Sequence, residues 1–210
     1  MYFIGLDLGK RRDFSALAIV ERRELMASQL SAMHWRERAE KQEDKLVLRH
    51  LERMKLGTPY PEVVRRVVEV AQHRALAGPR RLIVDATGVG TPVVDMLKAA
   101  RPGCAILPVM ITGGSAESSD GQVWHVPKLD LLAGLQALLE QGELRISKRM
   151  QEAGTLVREL MDVRMRSTTS NRQRVGADGV GEHDDLVIAV ALACWAARKG
   201  PVGERGQRLL

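Results

Sequence analysis

The stretch YFIGLDLGKRRDFSALAIVE, Tyr2 to Glu21, decides how the rest of the chain is read. YFIGLDLG and SALAIVE are short apolar runs of strand-forming residues, joined by the turn-like GKRRD, and so open a β-meander. Asp7 stands inside the first run between Leu6 and Leu8. Neighbouring strand residues point to opposite faces, so this acid has neither leucine beside it, and an acid in so apolar a strand is unfavourable without a partner. The same stretch superficially looks like a phosphate loop. GxxxxGK[ST] needs one more residue between its glycines, however, and a Ser or Thr where Arg11 stands, so no ATP-hydrolysing P-loop is read here.

Outward from this hairpin, ELMASQLSAMHWRE (24–37) reads as a third strand returning beside the first two. The charged stretch from Arg36 to Lys55 is helix-prone, and PEVVRRVVEVAQHRAL repeats apolar residues at helical spacing with Pro61 in its first turn. RRLIVDATGVG gives a compact strand ending in Asp85, TPVVDMLKAA a helix and CAILPVMI a buried strand, an alternation that predicts parallel βαβ units. After the loop TGGSAESSDGQ come the amphipathic helix PKLDLLAGLQALLEQG, the short run ELRIS and a helix about MQEAGTLVRELMDV. Trp35, Trp124 and His125 read as packing or surface residues. The basic RMRSTTSNRQRVGADGVGE then leads into GEHDDLVIAVALACWAA, where two acids open an almost wholly apolar helix. One domain over residues 1–200 is expected, with 201–210 as a flexible tail.

Three carboxylate positions carry the chemistry. Asp85 ends a strand just where the chain turns into a helix, the place where ligand sites gather in open α/β sheets. Asp184 and Asp185 begin the last helix, and residues about 100° apart around it approach the sheet differently. Asp185, deeper in the first turn, is the expected direct ligand, with Asp184 supporting it or reaching a second ion. Each has a plainer reading: Asp184 as a helix cap with Asp185 solvated beside it, and Asp85 as a turn residue. Brought together, Asp7, Asp85, Asp184 and Asp185 would repel unless divalent cations neutralise them, and Mg2+ or Mn2+ suits an all-oxygen site. Two such ions can activate water and stabilise the leaving oxygen of a phosphodiester. His183 precedes the acids and is either a turn residue or a group that tunes them.

Charge agrees with a nucleic-acid partner. Lys and Arg number 32 against 26 Asp and Glu, a net +6 in 210 residues. Arg164, Arg166, Arg172 and Arg174 form the densest basic run, with a solvated loop as the alternative, and Lys128 opens a helix where it can contact phosphate. The two cysteines lie in apolar contexts without metal-ligand or disulfide spacing, and neither a signal peptide nor a membrane span is read, so a cytoplasmic location is expected.

Taken in order, GLDLGKRRDFSALAIVE, LIVDATGVGTPVVDML, VPKLDLLAGLQALLEQGELRI and GEHDDLVIAVALACWA resemble the C-terminal nuclease domain of phage large terminase subunits, within the ribonuclease H-like superfamily. That resemblance implies an α/β fold with a mixed central sheet, its first three strands antiparallel, flanked by helices. It implies a metal-dependent DNA endonuclease using two Mg2+ or Mn2+ ions, with Asp7 and Asp85 as ligands and one or both of Asp184 and Asp185 completing the site. It further implies double-stranded DNA as substrate, a phage or prophage setting in a bacterial host, and a terminase ATPase domain, small terminase subunit and portal as partners in genome packaging. No ATPase motor is read in these residues, so packaging motor activity is not expected of them. Related classes that share parts of the pattern are Holliday-junction resolvases, actin-like ATPases through GLDLG, and a non-catalytic DNA-binding or assembly module of the same fold.

Overall fold

The computed structural model describes residues 1–9, 13–23, 46–88, 90–167, 173–176 and 183–199. Its centre is an eight-stranded mixed sheet in the order β6-β7-β5-β4-β1-β2-β3-β8. The opening hairpin supplies β1 (Tyr2–Asp7) and β2 (Ala16–Arg22), and β3 (Leu46–Arg53) pairs antiparallel with β2, so the first three strands are antiparallel as expected. On the other side of β1 the chain adds β4 (Arg80–Asp85), β5 (Ala105–Thr112) and β7 (Trp124–Pro127) in parallel, with β6 (Ser118–Ser119) antiparallel at that edge and β8 (Leu144–Ile146) parallel to β3 at the other.

Helices cover both faces. α1 (Tyr60–Ala71) and α2 (Gly90–Ala100) lie on one, with Val63, Val67, Val93 and Leu97 packed against Ile4, Leu6, Leu82 and Val84. α3 (Lys128–Glu140), α4 (Ala153–Asp162) and α5 (Asp185–Lys199) lie on the other, over Phe3, Ala16, Ala18, Ile83 and Val109. Alternation along each strand separates the two cores. Each fully buried Leu or Ile in them contributes about 1.5–3 kcal/mol.

α5 is the central helix. Thirteen of its fifteen residues are buried, which a helix touching only the sheet could not achieve; it is enclosed by β1, β2, β3 and β4 beneath and by α3 and α4 beside it. Small side chains make this possible, and Gly5 makes it possible from below. A Cβ on Gly5 would stand 2.0 Å from the Ala189 carbonyl oxygen and 3.0 Å from the Ala193 amide nitrogen, so the helix backbone lies directly on β1.

Four expectations change. Among the described residues the strand beside β2 is Leu46–Arg53, inside the stretch read as helix-prone; ELMASQLSAMHWRE (24–37), read as a third strand, lies outside the described residues. LVLRHLER buries Leu46, Val47, Leu48 and Leu51 between β2 and β8, and that pairing overrides the helical propensity of its charged residues. The run containing Trp124 and His125 is β7, and the loop before it includes β6. The basic stretch read as a loop holds a separate hairpin of β9 (Arg164–Ser167) and β10 (Gln173–Gly176). The expected tail, 201–210, lies outside the described residues. Among the described residues, no helix is long and apolar enough to cross a membrane.

Candidate metal and nucleic-acid site

The site forms along one edge of the sheet, where β1, β4, β5 and β7 all end. Register places its acids. Leu6 pairs with Val84, so Asp7 and Asp85 are the next step on adjacent parallel strands. Asp7 also pairs with Ala16, and Ala16 with Arg53, so Asp85, Asp7, Ala16 and Arg53 form one row across four strands. Phe3, four residues before Asp7, and Ile83, two before Asp85, belong to the core under α5, and the even spacing puts both carboxylates on the face of that helix. α5 begins over the same edge and brings Asp184 and Asp185 to them.

Local structure holds each acid in place. The turn after Asp85 is fixed by the Thr87 amide donating to Asp85 Oδ1 at 2.8 Å, by Ala86 N donating to Val109 O at 2.7 Å and by Ile111 N donating to Thr87 Oγ1 at 2.8 Å. Gly90 lets α2 start against this turn, because a Cβ there would lie 2.6 Å from the Asp85 carbonyl oxygen. This is the physical content of DATGVG. Beyond Asp7, Gly9 N donates to Ser15 Oγ at 3.1 Å and the Tyr60 hydroxyl donates to Gly9 O at 3.1 Å.

The electrostatics are those of carboxylates held close together. The Asp7 carboxyl is pushed well above its ordinary 3.8 by removal from water, then by the charges of Asp85, Asp185 and Asp184, and by a hydrogen bond with Asp85. Asp185, 5% exposed, is raised to about 6 by burial, against the opposing pull of Arg53 and His183 and with the added repulsion of Asp184 and Asp13. Protein cations meet part of this charge. Lys128 Nζ donates to Asp184 Oδ2 at 2.6 Å, while an Arg53 guanidinium nitrogen and His183 Nδ1 each stand 3.7 Å from Asp185 Oδ2.

Asp185 Oδ2 is buried and makes no hydrogen bond among the described residues. An unbonded buried carboxylate oxygen, beside acids whose charges repel one another, fits a hard divalent cation in donor chemistry. As the side chains stand, the described residues include no group of three or more His, Cys, Asp or Glu in ion-holding geometry. Like charges without a counter-ion turn instead to protons, Lys128 and Arg53.

All four predicted acids therefore meet at one edge, and Lys128 joins them as the ion-pair partner of Asp184. The register of the separate hairpin sets Arg174 opposite Arg166 and Gly176 opposite Arg164, and Arg172 lies outside the described residues. Sequence reasoning missed Arg53, Asp13 and Glu159. Arg53 was hidden in a stretch assigned to a helix. Glu159 left a readable mark, because it continues the spacing Leu156, Leu160, Val163 and so puts an acid in the apolar stripe of α4.

The pH dependence of metal-free stability follows from these shifts. Asp7 and Asp185 hold protons more tightly folded than unfolded, so the stabilisation they give is complete below about 3.8 and declines above it, the share of Asp185 being lost as pH rises through about 6. Glu21 and Glu52, where burial is outweighed by Arg49 and Arg66, act in the opposite sense but below 4.5. Calorimetry in EDTA is expected to give a higher melting midpoint at pH 5 than at pH 7. An equal or rising midpoint across that interval would mean that the acids do not repel as described.

An α/β sheet with an antiparallel first hairpin, a largely buried central helix α5 and carboxylates from β1, β4 and the start of that helix defines a ribonuclease H-like protein. The chain belongs to the terminase RNaseH-like domain family, which it matches over residues 4–196. No curated protein matches the sequence significantly. Among solved structures, the chain is similar to the large terminase nuclease of thermophilic phage G20c with bound magnesium, at 24% identity and TM-score 0.64 over 93% of this chain and 80% of that one. It is also similar to the large terminase nuclease domain of Thermus phage P74-26, at 22% identity and TM-score 0.58 over 92% and 77%. A third similar structure is the g2p nuclease domain of bacteriophage SPP1 with bound Mn, at 11% identity and TM-score 0.52 over 93% and 85%. These likenesses establish the fold.

Proposed function

We propose that this chain is a divalent-metal-dependent DNA endonuclease of the terminase large-subunit type, cutting double-stranded DNA during genome packaging. The observation that carries the reading is the meeting of Asp7 and Asp85, one register step apart on parallel strands, with the acid pair that opens α5. Asp7, Asp85, Asp184 and Asp185 are the residues that would hold two Mg2+ or Mn2+ ions, and the magnesium and manganese bound in the G20c and SPP1 structures support a divalent metal. Bound there, the ions would supply activation of water and stabilisation of the leaving oxygen. The buried Asp185 is read as the direct ligand of the pair, and Asp184, tied to Lys128, as the more adaptable member.

The protein's own groups do the rest. Lys128 balances charge at the rim and stands where a scissile phosphate would approach; Arg164, Arg166, Arg172 and Arg174 would hold the duplex backbone by charge. Family membership supports a terminase ATPase domain, a small terminase subunit and a portal as assembly partners, in a phage or prophage setting inside the bacterial host's cytoplasm. Residues 1–200 are read as the nuclease domain.

Incubation of supercoiled plasmid with the purified protein tests this directly. Nicked and then linear DNA is expected with Mg2+ or Mn2+ and none with EDTA. Intact plasmid with either metal at excess protein would reject the nuclease and leave a non-catalytic DNA-binding or assembly module.

A further inference from the structure

We propose that Glu159 of α4 is a positioning residue for the acidic edge: it caps α5 in place of Asp184 and so leaves the paired aspartates facing Asp7 and Asp85. The proposal rests on the metal-site reading above.

A helix that opens on two aspartates ordinarily caps itself, the side chain before the first turn accepting from amides two or three residues on. Asp184 occupies that place, since its carbonyl accepts from Ile188 N at 2.9 Å. Its carboxylate does not cap. It accepts from Lys128 Nζ at 2.6 Å, and the amides of Leu186 and Val187 donate instead to Glu159 Oε2, at 3.0 and 3.2 Å.

Glu159 is 5% exposed and is ion-paired with Arg53. The Arg53 guanidinium lies over the Phe14 ring at 4.8 Å, and the His183 ring meets the Phe14 ring nearly edge-on at 4.8 Å. One continuous set of contacts thus runs from α4 through the start of α5 to β3 and the β1–β2 turn, on both sides of the acid pair. A carboxylate accepting from two amides at the positive end of a helix is a strong cap. Without it, the nearest carboxylate able to serve the freed amides is Asp184, which would turn away from Lys128 and from Asp7.

The test uses the full chain and Mn2+ itself as the probe. Glu159→Ala is expected to weaken Mn2+ binding, read by titration calorimetry, about tenfold. Duplex DNA affinity in EDTA should stay within about twofold, which a general loss of structure would not allow. Glu159→Gln keeps an oxygen for both amides and is expected to recover most of the loss. Where Glu159→Ala does not fold, Glu159→Asp, one methylene too short to serve both amides, takes its place with the same expectation.

A metal-free arm separates this proposal from the reading beneath it. Asp184→Ala, which removes the capping oxygen that an amide would keep, is expected to leave the melting midpoint of the parent nearly unchanged but to lower that of the Glu159→Ala (or Glu159→Asp) protein, because only there does Asp184 cap. Mn2+ affinity within twofold of the parent in Glu159→Ala (or Glu159→Asp), or strictly additive effects in this cycle, would overturn the proposal. A parent that binds no Mn2+ would overturn the metal reading, recognisably so because the failure appears without any substitution.

Discussion

Asp7→Asn is expected to lower metal-dependent plasmid nicking on the order of a thousandfold or more while leaving the fold intact. The amide keeps the shape of the carboxylate but removes the anion at the one position flanked by Asp85 in the sheet and by Asp184 and Asp185 above it. Stability should move the other way. In EDTA the variant's melting midpoint is expected at or above the parent's, because a charge held in mutual repulsion has gone. The fall in stability between pH 5 and pH 7 should flatten as well, since Asp7 is one of the two acids that produce it. Nicking at the parental rate would remove the acid edge from catalysis altogether. A lost fold would instead mean that Asp7 is a structural acid whose contacts the amide cannot replace.

The largest effect on stability is expected at Gly5→Ala. The added methyl would meet backbone atoms of α5 at 2.0 and 3.0 Å, and no rotamer change relieves a clash between two backbones. α5 must lift or β1 must bend, at about 3 kcal/mol, which for a chain of this size lowers the melting midpoint by roughly 10 °C. The displacement also reaches chemistry, because the lifted helix carries Asp184 and Asp185 at its start. Weaker Mn2+ binding is therefore expected together with the lower midpoint. An unchanged midpoint in thermal melts would mean that the close approach of helix and strand is not as described.

The local signals of the chain were strong where one element dictated its own period. β1, β2, β4, β5, α1, α2, α3 and α5 all stand where apolar runs bounded by turns, or helical spacing, set them. β3 failed because LVLRHLER carries charges at spacings a helix also tolerates, and its strand character comes from β2 and β8, which lie far away in sequence. β7 carries too short a run, WHVP, for alternation to mark a strand, and its character comes from pairing with β5 and β6.

At the site, Asp7, Asp85, Asp184 and Asp185 were legible, since an acid inside an apolar strand or at a strand end conflicts with its surroundings. Arg53 and Glu159 were less so. Their roles exist only in three dimensions, where β3 ends beside Asp7 and α4 passes the mouth of α5. The cap reading of Asp184 was reasonable for an isolated helix. It gives way because a more distant residue takes the amides first.

The parallel pairing of β1 with β4 has a consequence for how such a protein can diverge. Adjacent strands lie about 4.8 Å apart because backbone hydrogen bonds fix that interval, whatever the side chains. The separation of the Asp7 and Asp85 backbones is therefore gauged by the main chain and not by the fit of neighbouring residues. Surrounding core positions can be exchanged in number without altering the gauge, provided the strands stay in register. A fold shared at 24% identity and TM-score 0.64 is the kind of drift that such a gauge permits. What drift cannot touch is the step from Leu6 and Val84 to the two acids: one residue inserted before either would turn its carboxylate to the far side of the sheet.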